Sequence, residues 1–231
     1  MRLSAIVLSC IVVLSGCYHP IQVSTVPTSG YLLIDPGHGG FDGGTVAENG
    51  TCEKHLNLSI ALLLRDMFES VGIHTFITRE TDISLDDASA DTIRSRKVSD
   101  MKQRLQLYEQ AETVISLHQN HFSSAQYKGT QVFYSANHTD SQLLANCIQQ
   151  SAKMQLQPNN NREIKKASNG IYLLHHTTQP AVLVECGFLS NPEERALLET
   201  TDYQQQIAFV ILSGYFDYLS QKRGDVYGTE K

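Results

Sequence analysis

An alternation of two periods constrains this chain more than any other feature. Short apolar or β-branched runs at residues 31–34, 74–78, 114–117, 131–134, 171–174 and 181–184 read as strands. Between them lie longer stretches with helical spacing, the clearest at 56–71 (closed by Gly72), about 94–110, 141–155 and 203–219. A further helical turn starts at Asn191-Pro192-Glu193-Glu194, which offers an N-cap, a proline at the first helical position and acidic residues against the helix dipole. Strand–helix alternation of this kind predicts an α/β fold: a mixed or mainly parallel twisted sheet with helices on both faces. The 231 residues suit one such domain with a sizeable core, and no internal repeat divides them.

The N-terminus carries an address. Met1-Arg2 precedes an apolar run at 3–14 and then Ser15-Gly16-Cys17. A helix that crosses hydrocarbon needs about 20 apolar residues, so the run is too short to span and reads as a signal peptide over 1–16. Residues 14–17, Leu-Ser-Gly-Cys, resemble the bacterial lipobox, and that resemblance implies a mature chain beginning at a lipidated Cys17. Plain secretion and an uncleaved anchor are the other readings. A multiply acylated cysteine holds a soluble domain at a membrane without a spanning helix, at about 0.8 kcal/mol per buried methylene. Residues 17–30, rich in Pro, Ser and Thr, suit a spacer between lipid and domain. The catalytic domain is then expected over 31–220 and a C-terminal tail over 221–231. The address is extracytoplasmic and membrane-anchored.

Charge removes one class of partner. The net charge of −6 comes from 18 basic and 24 acidic side chains without long runs, so no positive face offers itself to nucleic-acid phosphates. Five cysteines without CxxC spacing indicate neither a disulfide framework nor a cysteine-rich zinc site.

Three predicted strands end directly in residues that bind metals or move protons, where sites gather in α/β folds. The first ends in Asp35-Pro36-Gly37-His38-Gly39-Gly40, presenting His38 from a glycine-rich turn. The third ends in Ser116-Leu117-His118-Gln119-Asn120-His121, and the apolar run 181–184 ends in Glu185. Glu53 is a fourth candidate; it opens a helix that carries Asn57 one turn later on the same face. Two histidines and one carboxylate with an open position form the ligand set of a hydrolytic zinc site, where zinc lowers the pKa of bound water to near 7. Such a site needs a second, non-ligating carboxylate for proton transfer, and Glu185 fits that role. Each position taken singly also has a structural explanation; their joint occurrence at strand ends is the stronger signal.

At these positions the chain resembles the zinc-dependent N-acetylmuramoyl-L-alanine amidases of bacterial cell walls. The matching segments, in order, are residues 35–40, the Glu53-to-Asn57 spacing, Thr78-Arg79, residues 116–120 and residues 180–191. The resemblance implies that His38, Glu53 and His118 bind Zn²⁺ and that Glu185 is the catalytic general base. It also implies the substrate, peptidoglycan, cut at the amide between N-acetylmuramic acid and L-alanine of the stem peptide. Residues 129–134 and 162–165 are similar to variants from spore formers, some of which prepare spore cortex for germination.

Other residues match less tidily. His121 stands where many members of the family carry a small residue, and reads as a packing residue with substrate contact as the other reading. Asn57 and Arg79 are expected to be structural or substrate-orienting, Asn57 as a partner of a metal ligand. His74, His138, His175 and His176 read as surface or core histidines, and Cys52 and Cys186 as ordinary small buried residues. No segment resembles the inhibitory helix of some relatives, which leaves control by an activator protein open. Two competing functions remain: a zinc peptidase cutting within the stem peptide, and a catalytically silent wall-binding lipoprotein. A silent receptor has no need of a general base, so Glu185 argues against it.

Overall fold

The computed structural model describes residues 30–228. The expected signal peptide, the lipid on Cys17 and the spacer up to residue 29 lie outside the described residues.

Six strands form one sheet: β1 (Leu32–Pro36), β2 (Thr75–Ile77), β3 (Thr113–Asn120), β4 (Gln131–Tyr134), β5 (Lys165–Lys166) and β6 (Ala181–Phe188). Their order is β2-β1-β3-β6-β4-β5. All neighbours run parallel except β4 against β6, which makes the sheet mixed but mainly parallel. Among the described residues there are six helices: α1 (Glu53–Ser70), α2 (Ile93–Tyr108), α3 (Asp140–Gln155), α4 (Tyr172–His176), α5 (Pro192–Leu198) and α6 (Thr201–Gly228). No helix among the described residues is long and apolar enough to cross a membrane.

Strand periodicity divides the core in two. Successive side chains of a strand point to opposite faces, so Leu32 and Ile34 join a cluster with Val182, Val184 and residues of α1, α3 and α6. Tyr31 and Leu33 instead join Val114, Ala181 and Leu183 under α2 and α4. Helices therefore cover both faces, as the alternation predicts. Burying each such aliphatic side chain contributes roughly 1.5–3 kcal/mol, which fixes the sheet and with it the positions of the strand ends.

Two local expectations fail. Residues 171–174 are not a strand: Tyr172–His176 form α4, in which Leu173 and Leu174 are buried while Tyr172, His175 and His176 face out. A four-residue apolar run satisfies either period, and here one buried stripe suffices. The fifth strand is instead the two-residue β5, whose exposed lysines carry no apolar alternation. Helix α1 begins at Glu53, the residue read as opening it, ahead of residue 56 where the apolar period becomes legible, because its first turn is polar. Helix α6 continues beyond residue 219 into the segment expected to be a tail. At α5, Asn191 accepts a hydrogen bond from the Glu194 N–H at 2.9 Å with Pro192 following, the start signal read from the sequence.

Candidate metal centre and active site

Strand β1 delivers His38 through a backbone held on every side. Asp35, fully buried at the strand's end, accepts hydrogen bonds from Arg104, Tyr108 (2.6 Å), Thr78 (2.8 Å) and Ser116 (3.1 Å). Burial alone would raise this carboxyl. The Arg104 guanidinium and the Tyr108 and Thr78 hydroxyls outweigh it and bring it down to about 2. His38 has φ +63°, a conformation that costs a non-glycine residue about 1–3 kcal/mol and persists only where its surroundings enforce it. Two arginines enforce it here. The His38 carbonyl accepts from both Arg79 Nε and Arg104 Nη2 at 2.7 Å, and Arg79 also donates to Pro36, Gly37 and Lys54 carbonyls. Arg79 is therefore the structural clamp of this turn, one of the two roles expected for it.

The strained turn brings His38 against Glu53 and His118. His38 Nε2 lies 3.3 Å and His118 Nδ1 3.0 Å from Glu53 Oε1, and one ligand atom from each residue falls within 4.8 Å of the others. The space exists because two neighbours lack side chains. A Cβ on Gly37 would sit 2.1 Å from His118 Nε2, and one on Gly44 would sit 2.6 Å from Glu53 Oε2 and 2.7 Å from His38 Cδ2. Two of the three members are held from behind. Asp42 Oδ2 meets His38 Nδ1 at 3.0 Å, the carboxylate–histidine arrangement that orients a metal-bound imidazole. Glu53 accepts from the Thr45 and Gln119 N–H groups at 2.8 and 3.0 Å and from Asn57 Nδ2 at 3.4 Å. Asn57 thus contacts the acidic member, as the sequence suggests, and in turn accepts from Gln119 Nε2 at 3.1 Å.

The electrostatics suit a cation. Burial would raise Glu53, but hydrogen bonds to His118 and His38 hold it far below the usual carboxylate range. Burial would lower His38, but its contacts with Asp42 and Glu53 raise it to about 9. Two imidazole nitrogens converging on one buried carboxylate oxygen is a donor set that fits zinc.

Glu185 faces this cluster from β6, where it is the register partner of His118 on β3. The residue as a whole is only partly covered, yet its Oε2 is buried without a hydrogen-bond partner. Burial raises its carboxyl to about 7, with His118 opposing and the Glu53 charge reinforcing the shift. An unpartnered buried carboxylate oxygen costs free energy that a structural role would not justify. A carboxyl poised near neutrality can both take and give a proton. His38, Glu53, His118 and Glu185 all line one cavity of about 570 Å³, whose apolar wall includes Met101, Leu173 and Leu183.

The four site residues read from the sequence are thus brought together. The remaining candidates separate from them: His121 is exposed beyond the end of β3, where a packing residue is expected. Cys186 is buried as expected, while Cys52 is only half-buried and donates to the Gly43 carbonyl. Both are free, as is Cys147. Asp42 and Gly44 escaped the sequence reading, although both follow His38 in the same glycine-rich segment.

A family model described as N-acetylmuramoyl-L-alanine amidase matches residues 32–215, the span that contains every residue of this cluster. The chain belongs to that family. As an amidase of peptidoglycan it is 36% identical over 201 residues to the germination-specific N-acetylmuramoyl-L-alanine amidase of Bacillus subtilis (strain 168), covering 86% of this chain and 84% of that protein. Among solved structures, the amidase resembles the CwlD amidase from Clostridioides difficile, determined in complex with the GerS lipoprotein. Identity is 39% and TM-score 0.79, covering 83% of this chain and 99% of that one. An N-acetylmuramoyl-L-alanine amidase from Clostridium difficile 630 aligns at 28% identity and TM-score 0.73, over 85% and 100% of the two chains. The single α/β domain is thus the fold of amidase catalytic domains.

Proposed function

We propose that this amidase is a zinc enzyme in which His38, Glu53 and His118 hold the metal and Glu185 is the general base. The observation that carries the reading is the convergence of three ligand atoms within 4.8 Å beside the one buried, unpartnered carboxylate oxygen among the described residues. Bound zinc supplies a Lewis acid that polarises the scissile carbonyl and acidifies water.

The chain's own groups do the rest. Asp42 fixes the His38 ring, while Thr45, Gln119 and Asn57 fix the Glu53 carboxylate. Glu185 Oε2 takes a proton from the attacking water and returns it to the alanine nitrogen as the carbon–nitrogen bond breaks. Proton transfer of this kind contributes about 10²–10⁴-fold. Zinc measured per chain should be near one in the wild type and fall in both His38→Ala and His118→Ala, together with activity. Full zinc content in both variants contradicts the ligand assignment.

The address and the setting are part of the proposal. Residues 1–16 act as a signal peptide, and the mature chain carries lipid on Cys17, which tethers the domain over residues 31–220 to the outer face of a membrane beside the wall. Mass spectrometry of the native N-terminal peptide tests this: an unmodified peptide extending upstream of Cys17 rules it out. The likeness to a germination-specific amidase and to CwlD supports action on spore peptidoglycan. CwlD's complex with the GerS lipoprotein supports a protein partner for this chain, the place an activator would take.

A further inference from the structure

The loop that follows β3 carries two aromatic side chains in the open. Phe122 and Tyr127 are 44% and 41% exposed, with ring centroids 5.1 Å apart at 73°. Both stand near the fully buried Phe188, at 5.4 and 6.5 Å, and the Arg162 guanidinium lies 4.2 Å over the Phe188 ring. Scattered exposed aromatics need no explanation. These two form a corner whose backbone is pinned. The Phe122 N–H donates to Ser190 Oγ, Asn191 Nδ2 to the Ala125 carbonyl, and Arg162 Nε to the Lys128 carbonyl. The buried Glu194 carboxylate then accepts from the Gly129 and Phe188 N–H groups at 2.8 and 2.7 Å.

Its position relates it to the reaction. Phe188 ends β6 three residues beyond Glu185, and Phe122 lies two residues past the end of β3, four beyond His118. At about 3.3 Å per residue the corner begins roughly 10 Å from the proposed catalytic groups. Arg162 connects the two regions, since its Nη1 donates to Gln131 Oε1 and Gln131 is the register partner of Glu185. A span of roughly 10 Å is the reach of one or two pyranose rings. The substrate of this family is a polymer of such rings, and a pyranose presents a face of C–H bonds that packs on the electron-rich face of an aromatic ring.

We propose that Phe122 and Tyr127 form a platform on which a sugar ring of the glycan strand stacks, next to the N-acetylmuramic acid whose amide is cut. The proposal rests on the amidase reading for its ligand. It assigns the loop after β3 to glycan binding and leaves the stem peptide to the cavity beside Glu185.

The test pairs two substrates and one binding measurement. On polymeric peptidoglycan, Phe122→Ala and Tyr127→Ala should each raise KM by about threefold to tenfold with kcat unchanged, the scale of a single aromatic contact. On an isolated N-acetylmuramoyl-peptide carrying one sugar, both variants should match the wild type. Phe122→Leu, which keeps apolar cover over Phe188 but has no ring face, should behave like Phe122→Ala, whereas Tyr127→Phe should behave like the wild type. Sedimentation with peptide-free glycan strands reads the platform without hydrolysis: Phe122→Leu should bind about threefold to tenfold more weakly than the wild type. A wild type that binds glycan but cleaves neither substrate removes the amidase reading and leaves the platform standing. Full recovery by Phe122→Leu, equal losses on both substrates, or unchanged glycan binding in the alanine variants overturns the platform and returns the corner to structural cover or protein docking.

Discussion

His118 and Glu185 are register partners on adjacent parallel strands, so one sheet position presents an imidazole and an unpartnered carboxylate to the same cavity. The two residues share a rigid backbone ladder and differ in what surrounds them. His118 meets Glu53 at 3.0 Å, whereas nothing meets Glu185 Oε2. On the proposed reading that difference separates a ligand from a base, and it yields the first prediction.

Glu185→Gln keeps the shape of the side chain and removes its ability to carry a proton. Turnover should fall about 10²–10⁴-fold, with zinc content and the unfolding transition close to wild type. Wild-type turnover in this variant excludes Glu185 as the base.

Substitution at Gly37 tests whether the histidine cluster depends on a bare backbone. In Gly37→Ala the new Cβ would sit 2.1 Å from His118 Nε2, so the imidazole must rotate away from Glu53. Zinc content and activity should fall together while circular dichroism keeps the α/β spectrum. A variant with full zinc and full activity shows that His118 tolerates displacement and is not a ligand.

Much of this arrangement is legible in the sequence because it is local. The strands that carry Asp35, His118 and Glu185 follow from apolar runs, although β3 and β6 continue past the expected ends to Asn120 and Phe188, and the α5 start follows from Asn191-Pro192. What escapes is set by distance. Nothing in a linear reading brings Asp42 to His38, or makes Gly37 and Gly44 necessary, until the strands are paired. The same holds for Arg104, which lies 69 residues from its partner Asp35 and reads from sequence only as one more charge on a helix. Residues 171–174 mislead for a different reason: four apolar positions fit either period, and burial of Leu173 and Leu174 against one face of the sheet decides for a helix.

Acid should loosen the molecule through Asp35. Its carboxyl is lowered from the model-compound 3.8 to about 2 because Arg104, Tyr108 and Thr78 together outweigh the cost of burial. A depressed folded-state value contributes stability that is present above the unfolded pKa and is lost as pH falls from about 4 toward about 2. The shift corresponds to roughly 2 kcal/mol. Urea unfolding as a function of pH should therefore show wild-type stability falling through this window. Asp35→Asn, less stable at neutral pH, should lose less across it. Parallel curves for the two proteins rule out Asp35 as a source of the acid dependence.

The central claim is the bond that breaks, and the products of peptidoglycan digestion test it most directly. Purified peptidoglycan treated with the zinc-loaded enzyme, and labelled for free amino groups and reducing ends in the same sample, should gain new N-terminal L-alanine. The glycan strands should show no rise in reducing ends. Free D-alanine without N-terminal L-alanine identifies a stem-peptide peptidase instead, and new reducing ends alone identify a glycosidase; either result contradicts the account.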